Sequence, residues 1–255
     1  MIKNIPKSPN FKTPILFVHG AWHGAWCWKK YMDFFSKKGF SCYALDFPCH
    51  GERRDESGIA RQSMMDYVKE VETAAKKIGN PIIVSHSMGG FVIMKYLERN
   101  KPPAAVLITP SPFRRLPIVT TIKMIFQYPL EILRLFFVIP TKIKSEKMYR
   151  HFFLYNAPKE VSEEGYKNTV RESSLALLGS SLPLVWLWPK KVSSPVLLLA
   201  SAHDYFFPVR TEKRTAKAYK ADFKLYEDMG HNLMTETGWE KVAADIFKWL
   251  KKKVK

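Results

Sequence analysis

The sequence predicts an α/β fold: a mostly parallel six-stranded sheet flanked by helices, with an inserted helical cap. Three observations predict it. Short apolar runs alternate with longer amphipathic ones at both ends of the chain. The short runs are apolar throughout, as in parallel strands covered on both faces. Between Pro110 and Lys191 the alternation stops for about eighty residues, too long a stretch for a plain loop.

The elements follow in order. "PILFVHG" (14–20) reads as a buried strand, and "CWKKYMDFFSKKG" (27–39) as a helix closed by Gly39. "FSCYALDF" (40–47) is the second strand. Residues 59–79 carry Met64, Tyr67, Val68, Val71, Ala75 and Ile78 at helical spacing and again end in glycine. "PIIVS" (81–85) is the third strand, and a helix starts at "MGGFVIMKYLERN" (88–100). "AAVLIT" (104–109) is the fourth strand and "PVLLLA" (195–200) the fifth. A helix near 210–219, the strand "DFKLYED" (222–228) and a helix over about 238–252 complete the core. Within the gap, Ile118, Ile122, Ile125, Phe126 and Pro129 form a helical stripe, with Pro129 opening a second short helix. "SEKMYRHFFLY" and "SEEGYKNTVRESSLALLG" read as helices too. Residues 1–110 and 191–255 are expected to form the core, and 111–190 the cap.

Composition bounds the partners. The chain has 255 residues, 46% hydrophobic and 25% charged, which fits one sizeable domain with an inserted subdomain. It holds no apolar run of membrane-spanning length, and its first residues lack the apolar region of a signal peptide. Cys27, Cys42 and Cys49 suit free thiols in a reducing compartment, so a cytoplasmic location is expected. No Cys/His spacing resembles a zinc site, and no metal is expected. The net charge is +18, yet no nucleic-acid motif accompanies it, so no nucleic-acid partner is expected. Residues 110–151 carry eight Lys and Arg, Arg114 and Arg115 among them, against Glu131 and Glu146. A basic, apolar surface near a site mouth can rest on anionic lipid, so peripheral membrane contact is a further expectation. Oligomeric state is left open.

Ligands of such sheets sit at the carboxyl ends of the strands. There the third strand gives "SHSMGG", with Ser87 directly between strand and helix. A nucleophilic serine needs an exposed oxygen, small neighbours and a helix N-terminus beside it. Gly89 and Gly90 let such a turn close, and Met88 offers a backbone N–H. The usual pattern is G-x-S-x-G; here Ser85 holds the first position. The first strand ends in "HGAWHGAW", where the Ala21 amide can aim at the same point as that of Met88, making an oxyanion hole. Asp204 follows the fifth strand in "SAHDYFFP", and His231 follows the sixth in "DFKLYEDMGHNLMTE". Each of these residues alone has an ordinary turn or structural use. Their joint order, Ser87, Asp204, His231, each after its own strand, is that of a catalytic triad. The other histidines, His19, His23, His50, His86, His151 and His203, are expected mostly to make local hydrogen bonds.

With these residues placed, the chain resembles the α/β-hydrolase superfamily across nearly the whole core: HGAWHGAWCW, LDFPCHG, SHSMGG, the Asp204 loop and Gly230-His231. The opening HGAWHGAWCW is similar to the branch of plant methylesterases, hydroxynitrile lyases and many bacterial esterases. The resemblance implies the α/β-hydrolase fold and a cofactor-free enzyme with Ser87, Asp204 and His231 as triad and Ala21 and Met88 as oxyanion donors. Asn232 stands where hydroxynitrile lyases place a lysine, which disfavours lyase chemistry. The leading expectation is a serine hydrolase of carboxylic esters with an apolar acyl or aryl part, acting on a small-molecule substrate. The alternatives are C–C hydrolysis, lysis or perhydrolysis on the same triad, or a non-catalytic ligand-binding member of the fold.

Overall fold

The computed structural model describes residues 1–254 apart from 115 and 183. Arg115 of the basic segment, and Lys255 at the end, lie outside the described residues.

Among the described residues seven strands form one sheet. They are β1 (Ile2–Asn4), β2 (Ile15–Val18), β3 (Cys42–Leu45), β4 (Ile82–His86), β5 (Ala105–Ile108), β6 (Val196–Ser201) and β7 (Asp222–Tyr226). Their spatial order is β1-β3-β2-β4-β5-β6-β7. From β3 to β7 every neighbouring pair is parallel. The count of six is therefore corrected to seven. The added strand, β1, pairs antiparallel with β3 through Ile2 and Ala44. Three partly exposed residues give no period that a sequence pattern can register.

The six parallel strands coincide with the six predicted ones; burial on both faces explains the apolar runs of β2 to β6, whereas β7, at the sheet edge, is partly exposed. Leu16, Val18, Ile83, Leu107 and Leu198 point to one side, where α2 (Met64–Ile78), α3 (Met88–Tyr96) and α9 (Val209–Tyr219) pack. Ile15, Phe17, Val84, Ile108 and Leu199 point to the other, against α1 (Lys29–Lys37) and α10 (Trp239–Lys253). Each such side chain contributes about 1.5–3 kcal/mol by leaving water. A polar substitution on either face would forfeit that.

Local chemistry sets the helix ends. α2 begins at Met64 rather than near residue 59, because Ser63 and Asp66 cap each other reciprocally, side chain to backbone N–H. The preceding Glu56–Arg61 segment is a 3-10 turn. Gly79 closes α2 in the left-handed region at φ +85°, as the sequence predicts.

Between β5 and β6 lie α4 (Ile118–Gln127), α5 (Pro129–Phe136), α6 (Glu146–Phe153), α7 (Lys159–Lys167) and α8 (Ser174–Ser181). Pro129 opens α5 at its first turn, as expected. The stretch from Ser162 to Gly179, read as one helix, is two. Thr141 and Glu172 pair as an antiparallel bridge between them, and the Val170 amide donates to the Trp22 carbonyl at 3.1 Å. These bonds draw 169–173 into extended backbone. α6 supplies Tyr149, Phe152 and Phe153 to a third apolar cluster, shared with Tyr205, Phe206 and Phe207 of the loop after β6. The inserted helices are thereby packed on the strand ends.

Candidate active site

Ser87 sits where β4 passes directly into α3, with φ +54° and ψ −123°. A non-glycine residue pays strain there, and close packing holds it. A Cβ on Gly20 would lie 2.8 Å from Ser87 Cβ, and one on Gly90 2.6 Å from Pro110 Cβ. A Cβ on Gly89 would run into the His19 carbonyl. Only glycine lets these backbones approach. Ser85 fits the first motif position because its hydroxyl is buried and donates across the sheet to the Val106 carbonyl at 3.2 Å.

Asp204 and His231 meet directly. His231 Nδ1–H donates to Asp204 Oδ2 at 2.8 Å, and both side chains are buried. Asp204 Oδ1 accepts from the Phe206 and Phe207 amides at 2.7 and 3.0 Å, which fixes the carboxylate plane. His231 is held from behind. Its carbonyl accepts from Thr109 Oγ1 at 2.8 Å and from His86 Nε2 at 3.2 Å. Its ring lies 4.7 Å from that of His86, the residue preceding Ser87. With Nδ1 donating, Nε2 carries the lone pair, and this nitrogen is buried with no hydrogen-bond partner among the described residues. Ser87 Oγ and His231 Nε2 are not hydrogen-bonded to each other; in unliganded active sites such a bond is commonly long.

The loop after β2 brings Ala21, and the start of α3 brings Met88, to the same cavity as Ser87. Met88 is the first residue of α3, so its N–H has no partner within the helix. Two histidines clamp the loop carbonyls. His19 Nε2 accepts from the Phe47 amide at 3.1 Å, so its Nδ1–H donates to the Gly20 carbonyl at 2.8 Å. His23 Nδ1–H donates to the Ala21 carbonyl at 2.7 Å. Burial pushes His23 down to about 4, with neighbouring histidines adding to the effect. His19 and His86 are also driven well below the ordinary range, first by burial. All three are neutral hydrogen-bonding spacers near pH 7, as the local-bonding expectation required. His203 stacks on Tyr155 at 3.5 Å between ring centroids, and His151 packs edge-on against Tyr205.

Three further residues complete the frame. Glu172, fully buried, accepts from Tyr67 Oη at 2.8 Å, the Ser173 amide at 2.7 Å, the Trp22 amide at 3.2 Å and His50 Nε2 at 3.0 Å. It joins the inserted helices to α2, to the loop after β3 and to the loop after β2. Glu236 accepts from the Gly230 and Asn156 amides at 2.8 and 2.9 Å, tying the His231 loop to the end of α6. Asn232 donates to His23 Nε2 at 3.0 Å and to Tyr149 Oη at 3.2 Å, so its amide is turned away from the cavity. Glu172 and Asn232 meet Tyr67, His50, Trp22, His23 and Tyr149 across long stretches of chain, and no local spacing marks such meetings.

The cavity encloses about 170 Å³. Ser87, Ala21, Trp22, Met88 and Ser111 form one end, and Leu116, Met124, Tyr128, Ile132 and Leu135 the apolar wall. Ile125, Phe136 and Leu182 line it and are also exposed, so its mouth opens between them. Among the described residues no group of three or more His, Cys, Asp or Glu side chains could hold a metal ion. Nor, among them, is any helix long and apolar enough to cross a membrane. Cys27, Cys42 and Cys49 are free and buried.

Comparison with known proteins fits this geometry. Esterase PIR7B of Oryza sativa subsp. japonica is 32% identical over 106 residues, 40% of each chain. Methyl jasmonate esterase 1 of Vitis vinifera is 33% identical over 104 residues, 38% of each chain. The matches thus span about two-fifths of the length of these curated relatives. The solved structure of methylesterase MES16 from Arabidopsis superposes with a TM-score of 0.73 at 18% identity, covering 94% of this chain and 99% of the other. At that identity the likeness carries the fold. The alpha/beta hydrolase family profile matches residues 15–245, nearly the whole sheet and its insertion. The chain belongs to the alpha/beta hydrolase family.

Proposed function

We propose that the chain is a serine hydrolase of carboxylic esters whose acyl or aryl part is apolar. The observation that carries the reading is the shared position of Ser87, Ala21 and Met88 at one end of an apolar cavity, with the ring of His231, bonded to Asp204, 4.7 Å from that of His86, the residue before Ser87. Ser87 Oγ attacks the acyl carbon while His231 Nε2 takes its proton. Asp204 holds the imidazole tautomer and steadies the imidazolium. Charge developing on the carbonyl oxygen is met by the Ala21 amide of the loop after β2 and the Met88 amide at the start of α3. His231 then protonates the leaving alcohol, and water, deprotonated by the same nitrogen, releases the acid from Ser87.

Residues 111–190 act as the cap in this scheme and supply the apolar wall. A cavity of about 170 Å³ is smaller than the usual ~300–1,000 Å³ ligand site. The enclosed acyl or aryl part is therefore small, and a longer chain extends past Ile125 and Phe136. The esterase names of the relatives agree with ester chemistry, and the Asn232 amide N–H groups are engaged by His23 and Tyr149. Free buried thiols suit a reducing, cytoplasmic setting. The test is hydrolysis of p-nitrophenyl esters from acetate to palmitate by wild type and Ser87→Ala, with fluorophosphonate labelling alongside. Turnover and labelling that both vanish in Ser87→Ala are expected. Labelling without turnover of any ester would replace ester hydrolysis with other triad chemistry, and neither in wild type would remove the nucleophile.

A further inference from the structure

Helices α4 and α5 are built inside out. Among their residues only Thr120 and Glu131 are buried. Thr120 Oγ1 donates to the Phe206 carbonyl at 2.7 Å, and Glu131 pairs with Lys144 and Arg134. Polar anchors hold the hairpin down and its apolar side faces outward. Phe126 is 82% exposed and Phe137 73%. Among the described residues, eleven of the eighteen large exposed hydrophobic side chains lie between 118 and 139. That concentration separates this face from the single exposed hydrophobics of any soluble surface and marks an interaction site.

The face also has a position. Ile125 and Phe136 belong both to it and to the wall of the Ser87 cavity, so the mouth opens on this face. Its occupant is chosen by charge. Lys142 stands at the cavity wall, and Lys144 and Lys147 follow it, all three exposed. The whole chain carries +18. A second copy would bring one strongly basic surface against another, which like-charge repulsion opposes. An anionic lipid surface complements the basic rim while accepting the apolar side chains at the headgroup–acyl boundary.

We propose that the outward face of α4 and α5 docks on anionic phospholipid bilayers and presents the cavity mouth to them. Esters dissolved in the bilayer then reach Ser87 past Ile125 and Phe136 without crossing water. This delivery rests on the ester-hydrolase reading, whereas the docking does not.

The experiment is co-sedimentation of the full chain with phosphatidylcholine vesicles, with and without phosphatidylglycerol. The variant is Phe126→Ser/Phe137→Ser, two positions outside the cavity wall. Wild type is expected to bind the anionic vesicles at least about tenfold more tightly than the neutral ones. Binding is expected to fall in about 1 M salt, where the Debye length is about 3 Å. The double variant is expected to lose at least about tenfold in vesicle binding while turning over p-nitrophenyl butyrate as wild type does. Equal binding to both vesicle types, or a double variant that binds like wild type, overturns the docking. So does a lipid-free dimer, seen by sedimentation velocity, that the double variant converts to monomer, because the face would then belong to a second copy. If wild type hydrolyses no ester, the proposed activity fails while the vesicle arm still decides the docking.

Discussion

Replacing Glu172 with alanine tests the frame behind the proposed oxyanion loop. The substitution strands Tyr67 Oη, the Ser173 amide, the Trp22 amide and His50 Nε2, all now bonded to one fully buried carboxylate. Removing one partner of a buried ion pair costs about 3–5 kcal/mol. For a chain of this size that lowers Tm by about 6–20 °C. The second effect is local. Trp22 follows Ala21, and losing its bond to Glu172 loosens the peptide adjoining the one that carries a proposed oxyanion donor. Deleting such a donor costs about 10²–10³ in kcat, so misaiming one is expected to cost about tenfold to a hundredfold. A third effect is pH-dependent. Burial pushes His50 down, but the Glu172 charge and hydrogen bond, with the Pro48 carbonyl and Asp46, outweigh it and leave His50 above its ordinary value. A raised histidine contributes stability that is full below about 6.5 and is lost as pH rises through the folded value. The difference in Tm between wild type and Glu172→Ala is therefore expected to shrink from about pH 6 toward pH 9. Calorimetry across pH and short-ester kinetics check all three effects. A variant that melts within about 1 °C of wild type, with unchanged kcat, would refute the reasoning.

Two further outcomes follow from buried carboxyls. Asp204→Asn removes the acceptor that fixes the His231 tautomer and is expected to lower kcat on p-nitrophenyl esters by about 10⁴, with circular dichroism unchanged; full activity would unseat Asp204. Glu212 is buried with both oxygens lacking partners among the described residues, and burial first, then Asp204, drives its carboxyl well above about 4.5. Stability is expected to fall as pH rises from about 4.5 toward the folded value. Glu212→Gln should then melt higher than wild type at neutral pH, and the two Tm values should converge below about pH 4.5; a constant offset across pH would contradict it.

What could be read from the sequence, and what could not, divides along the range of the interactions. Strands β2 to β6 were legible because burial on both faces selects uninterrupted apolar runs, and β7 because it continues the alternation of strand and helix. Ser87, Asp204 and His231 stood out as candidates because each follows its own strand, and glycines at 20, 89 and 90 mark where backbones must touch. β1 was illegible because three edge residues have no period. Glu172 was illegible for a different reason. Its partners lie 105, 122 and 150 residues away at Tyr67, His50 and Trp22, and no spacing along the chain encodes their meeting.

The α4–α5 hairpin separates period from direction. Ile118, Ile122, Ile125 and Phe126 do form one helical stripe, as their spacing predicts. A stripe states that a helix has an apolar face; it does not state what that face meets. Here direction follows from the opposite side. Thr120 reaches the carbonyl of Phe206, whose own amide holds Asp204. Glu131 is held by Lys144 and Arg134. Those polar anchors turn the stripe toward solvent and leave the cavity mouth in its midst. The same threonine that orients the hairpin thus touches the loop that positions His231, so the outward face and the proposed catalytic acid share one support.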